Sequence, residues 1–289
     1  MKFGGHETFH LRDNWLFKGM HMLAKQGDLF SSRDEAIALL GVGTNMVKSI
    51  RYWLLATEFA KVVDGQLSSG HIGKLMMTRD PYCDWLGSAW LLHYFLACNK
   101  SHATTWFWFF NKFGVSEFTT ESAVHYLESY CTLNDKKVNR NTLVKDINTL
   151  LRMYVEPAFE GRKTPEDIDI CPLTRLSLID KGVDNTYRLR APDSDELPVE
   201  IFGYTLVQFW THQLEQSIQF SFDELLKRDC SPTKVFCLNT DQTINLLNRL
   251  VEKFPRWFSY KHTGGFFSIE ISTKVRGEKL LDRYYGKAN

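Results

Sequence analysis

Between residues 33 and 59 apolar side chains recur every three or four positions, the spacing of helices with one buried face. Arg33 to Leu40 reads as a helix that turns Ala36, Ile37, Leu39 and Leu40 inward, and Ser32 with Glu35 supplies the S-x-x-E capping box that opens it. Gly41-Val42-Gly43 lets the chain stop and turn. Thr44 to Phe59 predicts a second helix, with Val47, Ile50 and Leu54 inward and Thr44, Asn45, Lys48, Arg51 and Tyr52 outward. Lys61 to Leu67 then reads as two short strands joined by Asp64-Gly65, a two-residue hairpin signal. A leading helix over Trp15 to Lys25 and a closing one over His71 to Met77 frame this stretch. Helix, turn, helix and hairpin is the order of a winged helix-turn-helix.

Further on, Trp85 to Asn99 and Thr104 to Phe113 are apolar around most of their circumference and predict buried helices. From Thr120 the first pattern returns in outline: a helix through Cys131, a polar turn with Lys136 and Lys137, and a helix from Arg140 to Tyr154. Leu143, Ile147, Leu150 and Tyr154 form its apolar side, while Asn141, Lys145, Asn148 and Arg152 share a polar, basic face. Ser177 to Ile179 and Thr186 to Arg190 would be the strands of a second wing, reached through a long connection containing Pro157, Pro165 and Pro172. Ala191 to Pro198 has the composition of a linker. Beyond it we expect helices over Val199 to Ile218, Ser221 to Arg228 and Asp241 to Phe254, and a strand over Val235 to Leu238. A hairpin of Trp257 to Tyr260 with Phe266 to Ile271, around His262-Thr263-Gly264-Gly265, would follow. The expected fold is mainly α with small β-hairpins: two winged helix-turn-helix repeats, and an order that allows a third, joined by helical segments. The expected domains are 1–80 (arm and winged helix), 81–190 (helical, with the second helix-turn-helix-like unit) and 191–289 (helical and hairpin, winged-helix-like).

Composition changes this picture little. The chain has 289 residues and a net charge of only +1, so its total charge does not announce a nucleic-acid binder. The cations are unevenly placed: residues 1–79 hold 10 Lys and Arg against 7 Asp and Glu, whereas 164–200 hold 4 against 9. Eight Trp and 21 Phe suit large buried surfaces first and base stacking second. The aromatic-rich helices of 85–113 also suggest a homodimer surface. Six cysteines without a C-x-x-C pair suit reduced thiols, and with no signal peptide and no membrane-length apolar run a cytoplasmic protein away from the membrane is expected.

Candidate chemistry concentrates at two places. Along the 44–59 helix, Thr44, Asn45, Lys48 and Arg51 lie toward the end that a recognition helix presents to base edges, where Arg and Lys pair with guanine and Asn with adenine. Lys136, Lys137, Asn141 and Lys145 could add contacts to double-stranded DNA from the second repeat; an ordinary solvated face is the alternative. The arm FGGHETFHLRDNWLFKG crowds His6, Glu7, His10, Arg12, Asp13 and Lys18 within thirteen residues without any clean period. Carboxylate and imidazole there could hold a divalent ion, Mg or Mn, with Glu7 and His10 as ligands, and the cations could hold a phosphate. The spacing matches no metal motif, and a hydrogen-bonded arm packed on the winged helix is the other reading. No Walker loop, Rossmann glycine signature or nucleophile elbow occurs.

Four stretches, GHETFHLRDNWLFKG, LGVGTNMVKSIRYW, ATTWFWFFN and NTLVKDINTLLRMYV, make the chain resemble, over nearly its whole length, the SspB-like proteins of bacterial DNA phosphorothioation loci. The resemblance implies a DNA nickase that cuts one strand at a recognition sequence. It would work beside a cysteine desulfurase, an ATPase and an ATP pyrophosphatase-like sulfur-transfer protein in restriction-modification and bacterial defence. It carries no catalytic motif across residue by residue. From the chemistry of the arm we expect Glu7, His6 and His10 to bind a metal or move a proton, Asp13 to assist, and Arg12 and Lys18 to clamp the phosphate. The alternative is a non-catalytic winged-helix adaptor or transcriptional regulator.

Overall fold

The spacing of Trp15, Leu16, Met20 and Leu23 puts four large apolar side chains on one side of a helix, α1 (Trp15–Gln26), and all four are buried. In the computed structural model, which describes residues 1–157, 170–193, 195–217, 219–263 and 266–286, this helix packs against the next two, α2 (Arg33–Leu40) and α3 (Thr44–Ala56). Gly41 ends α2 at φ 65°, a left-handed conformation that glycine adopts without cost from a Cβ. An antiparallel hairpin follows, β1 (Ala60–Val63) with β2 (Gln66–Ser69), and then α4 (His71–Arg79). Element order over this stretch is as the pattern predicts, with four local differences. Leu39, expected inward, is 41% exposed, and α3 ends at Ala56, short of Phe59. Ser32 stands at the N-cap of α2 but its side chain makes no capping bond, so the S-x-x-E box does not form. Tyr52 faces inward, 3% exposed, because the N-terminal arm lies over it: a Cβ on Gly5 would fall 2.5 Å from its ring.

Helices α5 (Leu86–Cys98) and α6 (Thr104–Asn111) are buried as expected. Asp80 opens α5, accepting from the amides of Asp84 at 2.9 Å and Trp85 at 3.0 Å. Trp90, Trp106 and Phe109 are fully enclosed, so these aromatics serve the interior and leave no aromatic dimer face on these helices. A three-residue strand, β3 (Glu117–Thr119), then leads into α7 (Thr120–Leu133) and α8 (Arg140–Tyr154), followed by β4 (Ile179–Lys181) and β5 (Thr186–Leu189). The sheet runs β3-β5-β4, antiparallel throughout, with Phe118 opposite Tyr187 and Ile179 opposite Leu189. The two strands expected here form, the first shifted by two residues, and β3 adds a third to the sheet. Pro165 of the connection lies outside the described residues.

By contacts, 1–109 with 113–190 form one compact unit, and 110–112 with 191–289 another. In the second unit α9 (Val199–Gln213) packs on α11, α12 and α13. Its elements are β6 (Gln219–Ser221), α10 (Phe222–Lys227), α11 (Pro232–Val235), α12 (Thr240–Lys253), β7 (Phe258–Thr263), β8 (Phe266–Ile271) and α13 (Gly277–Tyr285). The sheet order β6-β8-β7 repeats that of the first unit: the opening strand pairs with the last one. Both opening strands end in a capping box, Thr119 with Ser122 and Ser221 with Glu224. The strand expected over Val235 to Leu238 is not formed. Ser231 caps and Pro232 begins the short helix α11, since proline at the first helical position loses no bond that the helix would have made. Helix α9 stops at Gln213, short of Ile218, which lies outside the described residues, as do Ser194 of the expected linker and Gly264-Gly265 of the hairpin turn. No described helix is long and apolar enough to cross a membrane.

Candidate nucleic-acid interface

The arm is held by a carboxylate that the sequence pattern hides. Asp146 sits on the apolar side of α8, 1% exposed, among Leu143, Ile147 and Leu150. Its Oδ1 accepts from the amide of Gly4 at 2.9 Å and faces His6 Nε2 at 2.9 Å, while Oδ2 accepts from the Thr105 hydroxyl at 2.7 Å. Thr8 donates its amide to His6 Nδ1 at 3.1 Å, so Nδ1 carries the lone pair and Nε2 the proton directed at Asp146. The imidazole is fully buried, stacked on Trp53 with ring centroids 6.1 Å apart and edge-on to Trp106. His6 is therefore a clamp between the arm, α3, α6 and α8, and water and substrate do not reach it. Burial and then the Asp146 carboxylate push the Tyr52 phenol well above its ordinary range, which keeps that neighbour neutral.

Two further straps fix the arm. Trp53 Nε1 donates to the Phe9 carbonyl at 3.2 Å, and Arg152 Nη2 donates to the Thr8 carbonyl at 3.0 Å. Between these anchors Glu7 and Thr8 take positive φ, 50° and 69°, a conformation side chains rarely adopt and one that persists only where surroundings enforce it. The kink turns His6 inward and Glu7 outward. Glu7 Oε1 lies 3.6 Å from Lys48 Nζ, with side chains 36% and 56% exposed.

The arm thus distributes its chemistry. Glu7 joins Lys48 over α3, whose Asn45 is exposed and whose Thr44 and Arg51 are half-buried. His10 lines a cavity of about 620 Å³ with Asn148, Arg152, Glu156, Lys181 and Tyr187. Asp13 faces a second cavity, about 690 Å³, with Asp84, Glu156 and Arg175. Arg12 lies between the rings of Phe9 and Trp15, 5.5 and 5.2 Å from their centroids, and Lys18 is exposed on α1. Asn141 and Lys145 are exposed on α8, as are Lys136 and Lys137 before it.

Among the described residues no three His, Cys, Asp or Glu side chains converge as a metal would require. Glu7 and His10 are thus not part of a closed ligand set. All six cysteines are unbridged, and burial pushes the Cys83 and Cys237 thiols up to about 12 and the Cys131 thiol up to about 11, which makes these three poor nucleophiles. Sequence reasoning missed Asp146, Thr105 and Trp53. The readable signal was a lone carboxylate in the apolar stripe of the 140–154 helix, where an ion must be paired to be tolerated.

A comparison with curated proteins returned no match. Two solved structures superpose on this chain with a TM-score of 0.84, covering 99% of it and 88% of themselves. They are described as "SspB crystal structure", 24% identical, and "Magnesium ion-bound SspB crystal structure", 23% identical. At that identity the likeness concerns the fold. A family model described as "Protein of unknown function (DUF4007)" matches residues 3–285, nearly the entire sequence, and the protein accordingly belongs to the DUF4007 family.

Proposed function

We propose that the protein is a DNA-binding nickase of a single-strand phosphorothioation system, cutting one strand at a recognition sequence so that partner proteins can insert sulfur. Those partners would be a cysteine desulfurase, an ATPase and an ATP pyrophosphatase-like protein, as for the SspB-like proteins the chain resembles. One observation carries the reading: the arm's strained turn holds a carboxylate, Glu7, at the surface of the helix best suited to meet DNA, 3.6 Å from Lys48. In this reading α2, α3 and the β1-β2 hairpin act as a winged helix-turn-helix. Thr44 and Asn45 read base edges while Lys48 and Arg51 meet the backbone. Glu7 takes the proton from the attacking water, and Lys48, released from its ion pair, stabilises the extra negative charge on the phosphorus oxygens. Attack forms a new P–O bond and breaks one P–O ester bond; the departing sugar oxygen stays on one end of the nick and takes a proton from solvent, and Glu7 releases its own to solvent.

One of the similar structures is titled as magnesium-bound. Among the described residues no cluster of three His, Cys, Asp or Glu forms around Glu7; an ion held there by Glu7 alone would add charge stabilisation at the phosphate. Incubating purified protein with supercoiled plasmid and magnesium or manganese, with a chelator control, should give open circles. Glu7→Gln should lower that rate at least 100-fold, the usual worth of a positioned acid–base group, while leaving DNA affinity intact.

A second reading, a non-catalytic adaptor or regulator, is favoured by the burial of His6 and the absence of a three-ligand cluster among the described residues. It predicts tight binding and no open circles under any metal. That single plasmid assay separates the two.

A further inference from the structure

Toward the C-terminal half of α3, Arg51, which meets the backbone in that reading, has two neighbours that the proposed reaction does not use, Lys2 and His102. The amide of Lys2 donates to Thr104 Oγ1 at 2.7 Å, and that hydroxyl donates in turn to the Lys100 carbonyl at 2.9 Å. This places the second residue of the chain on the loop that precedes α6. Asn99 fixes the same loop to α3, donating to the Leu55 and Ala56 carbonyls at 3.0 and 3.1 Å and accepting from the His102 amide at 3.1 Å. The Lys2 side chain then runs over the Tyr52 ring, its Nζ 5.7 Å from the centroid, next in sequence to Arg51. Lys2 is exposed, Arg51 and His102 half-buried.

None of these three side chains meets a carboxylate among the described residues. Partial burial and then Arg51 lower the pKa of Lys2. Burial, Lys2, Arg51 and the chain's own amino group lower that of His102, and no acidic group opposes them. Like charges so grouped repel unless an anion joins them, and the Ser101 hydroxyl, which donates to Asn99 Oδ1 at 2.9 Å, lies 3.0 Å from His102 Nδ1 and can accept from it, which orients the ring. A fold that draws the arm, a helix and a loop together to gather two uncompensated cations, Lys2 and Arg51, beside an imidazole that an arriving anion would help to protonate is fitted to an oxyanion with several acceptor oxygens.

We propose that Lys2, Arg51 and His102 form a phosphate-binding cluster that takes a backbone phosphodiester flanking the bases read by α3, or a free phosphate of the same chemistry. The duplex form of this inference rests on the DNA reading above; the free-phosphate form does not.

Both forms are tested on the full chain with Lys2→Gln, His102→Gln and the pair Lys2→Gln/Arg51→Gln. Anisotropy of a labelled duplex across a salt series gives the dependence of log K on log[salt]. Each lost phosphate contact should flatten that slope by about 0.9 and the double change by about twice that. In parallel, the His102 imidazole resonance, assigned by its loss in His102→Gln, is titrated with pyrophosphate, and an anion in the cluster should raise the imidazole pKa unless Lys2 is removed. Flattened duplex slopes support the cluster on DNA. A pyrophosphate response without duplex binding supports the cluster with a free phosphate and overturns the DNA reading. Unchanged duplex slopes with no pyrophosphate response overturn the cluster and leave the DNA reading standing. Failure of the wild type to bind either ligand overturns both. Circular dichroism melts confirm that the variants, changed at exposed or half-exposed side chains, remain folded.

Discussion

Asp146→Ala would leave three partners, the Gly4 amide, His6 Nε2 and the Thr105 hydroxyl, facing a void in the interior. Unsatisfied buried groups of this kind cost on the order of 3 kcal/mol together, because each has lost water without regaining a bond. Asp146→Asn keeps one acceptor oxygen for Gly4 and His6, and the Thr105 hydroxyl can rotate to accept from the new amide, so its cost should be about 1 kcal/mol. Denaturant midpoints of the two variants would measure this; equal losses would show that charge, not hydrogen bonding, holds the arm. His102 gives a pH signature at the same scale. Its pKa lies below the ordinary 6.5 because of burial, Lys2, Arg51 and the chain's amino group. The folded state therefore resists its protonation, and stability falls as pH drops below about 6.5, while nothing is lost above it. Lys2→Gln should move the His102 titration upward in NMR and soften that acid-side loss.

Capping separates what the sequence displays from what the fold uses. Ser32 with Glu35 and Thr119 with Ser122 both sit at helix starts, yet only the second pair makes reciprocal bonds. Thr119→Ala should thus cost about 1 kcal/mol and Ser32→Ala less than about 0.5 kcal/mol, read by thermal melts; the reverse order would contradict the observed bonding. Helices with strong periodicity, such as 44–56 and 140–154, were legible because one face repeats locally. The strands β3 and β6, three residues each, were not: they are defined by partners far along the chain, Tyr187 for Phe118 and Ile269 for Phe220. Of the site, the outward placing of Lys48 and Asn45 on α3 could be read from spacing. The inward turn of His6 depends on Asp146, 140 positions away, and no local pattern encodes such a contact.

At the scale of the molecule, each unit carries the same arrangement: an opening strand, helices, then a hairpin whose second strand pairs with the opener. Topology alone would give both the same role. Their surfaces differ, however, in the helix that precedes the hairpin. On α8 the exposed positions are Asn141, Lys145, Asn148 and Arg152; on α12 they are Thr240, Asp241, Ile244, Asn245, Asn248, Glu252 and Lys253, whose ammonium is held by Glu200 at 2.5 Å. The one arginine within α12, Arg249, lies 3.8 Å from Asp195. A polyanion gains from the first face and is repelled by the carboxylates of the second, so the repeated fold would serve DNA in one unit and something else in the other. Lys145→Gln should then flatten the salt dependence of duplex binding by about 0.9, as one phosphate contact does, and Arg249→Gln should leave it unchanged. If both substitutions flatten it alike, the repeats contact DNA together and surface charge does not divide their roles.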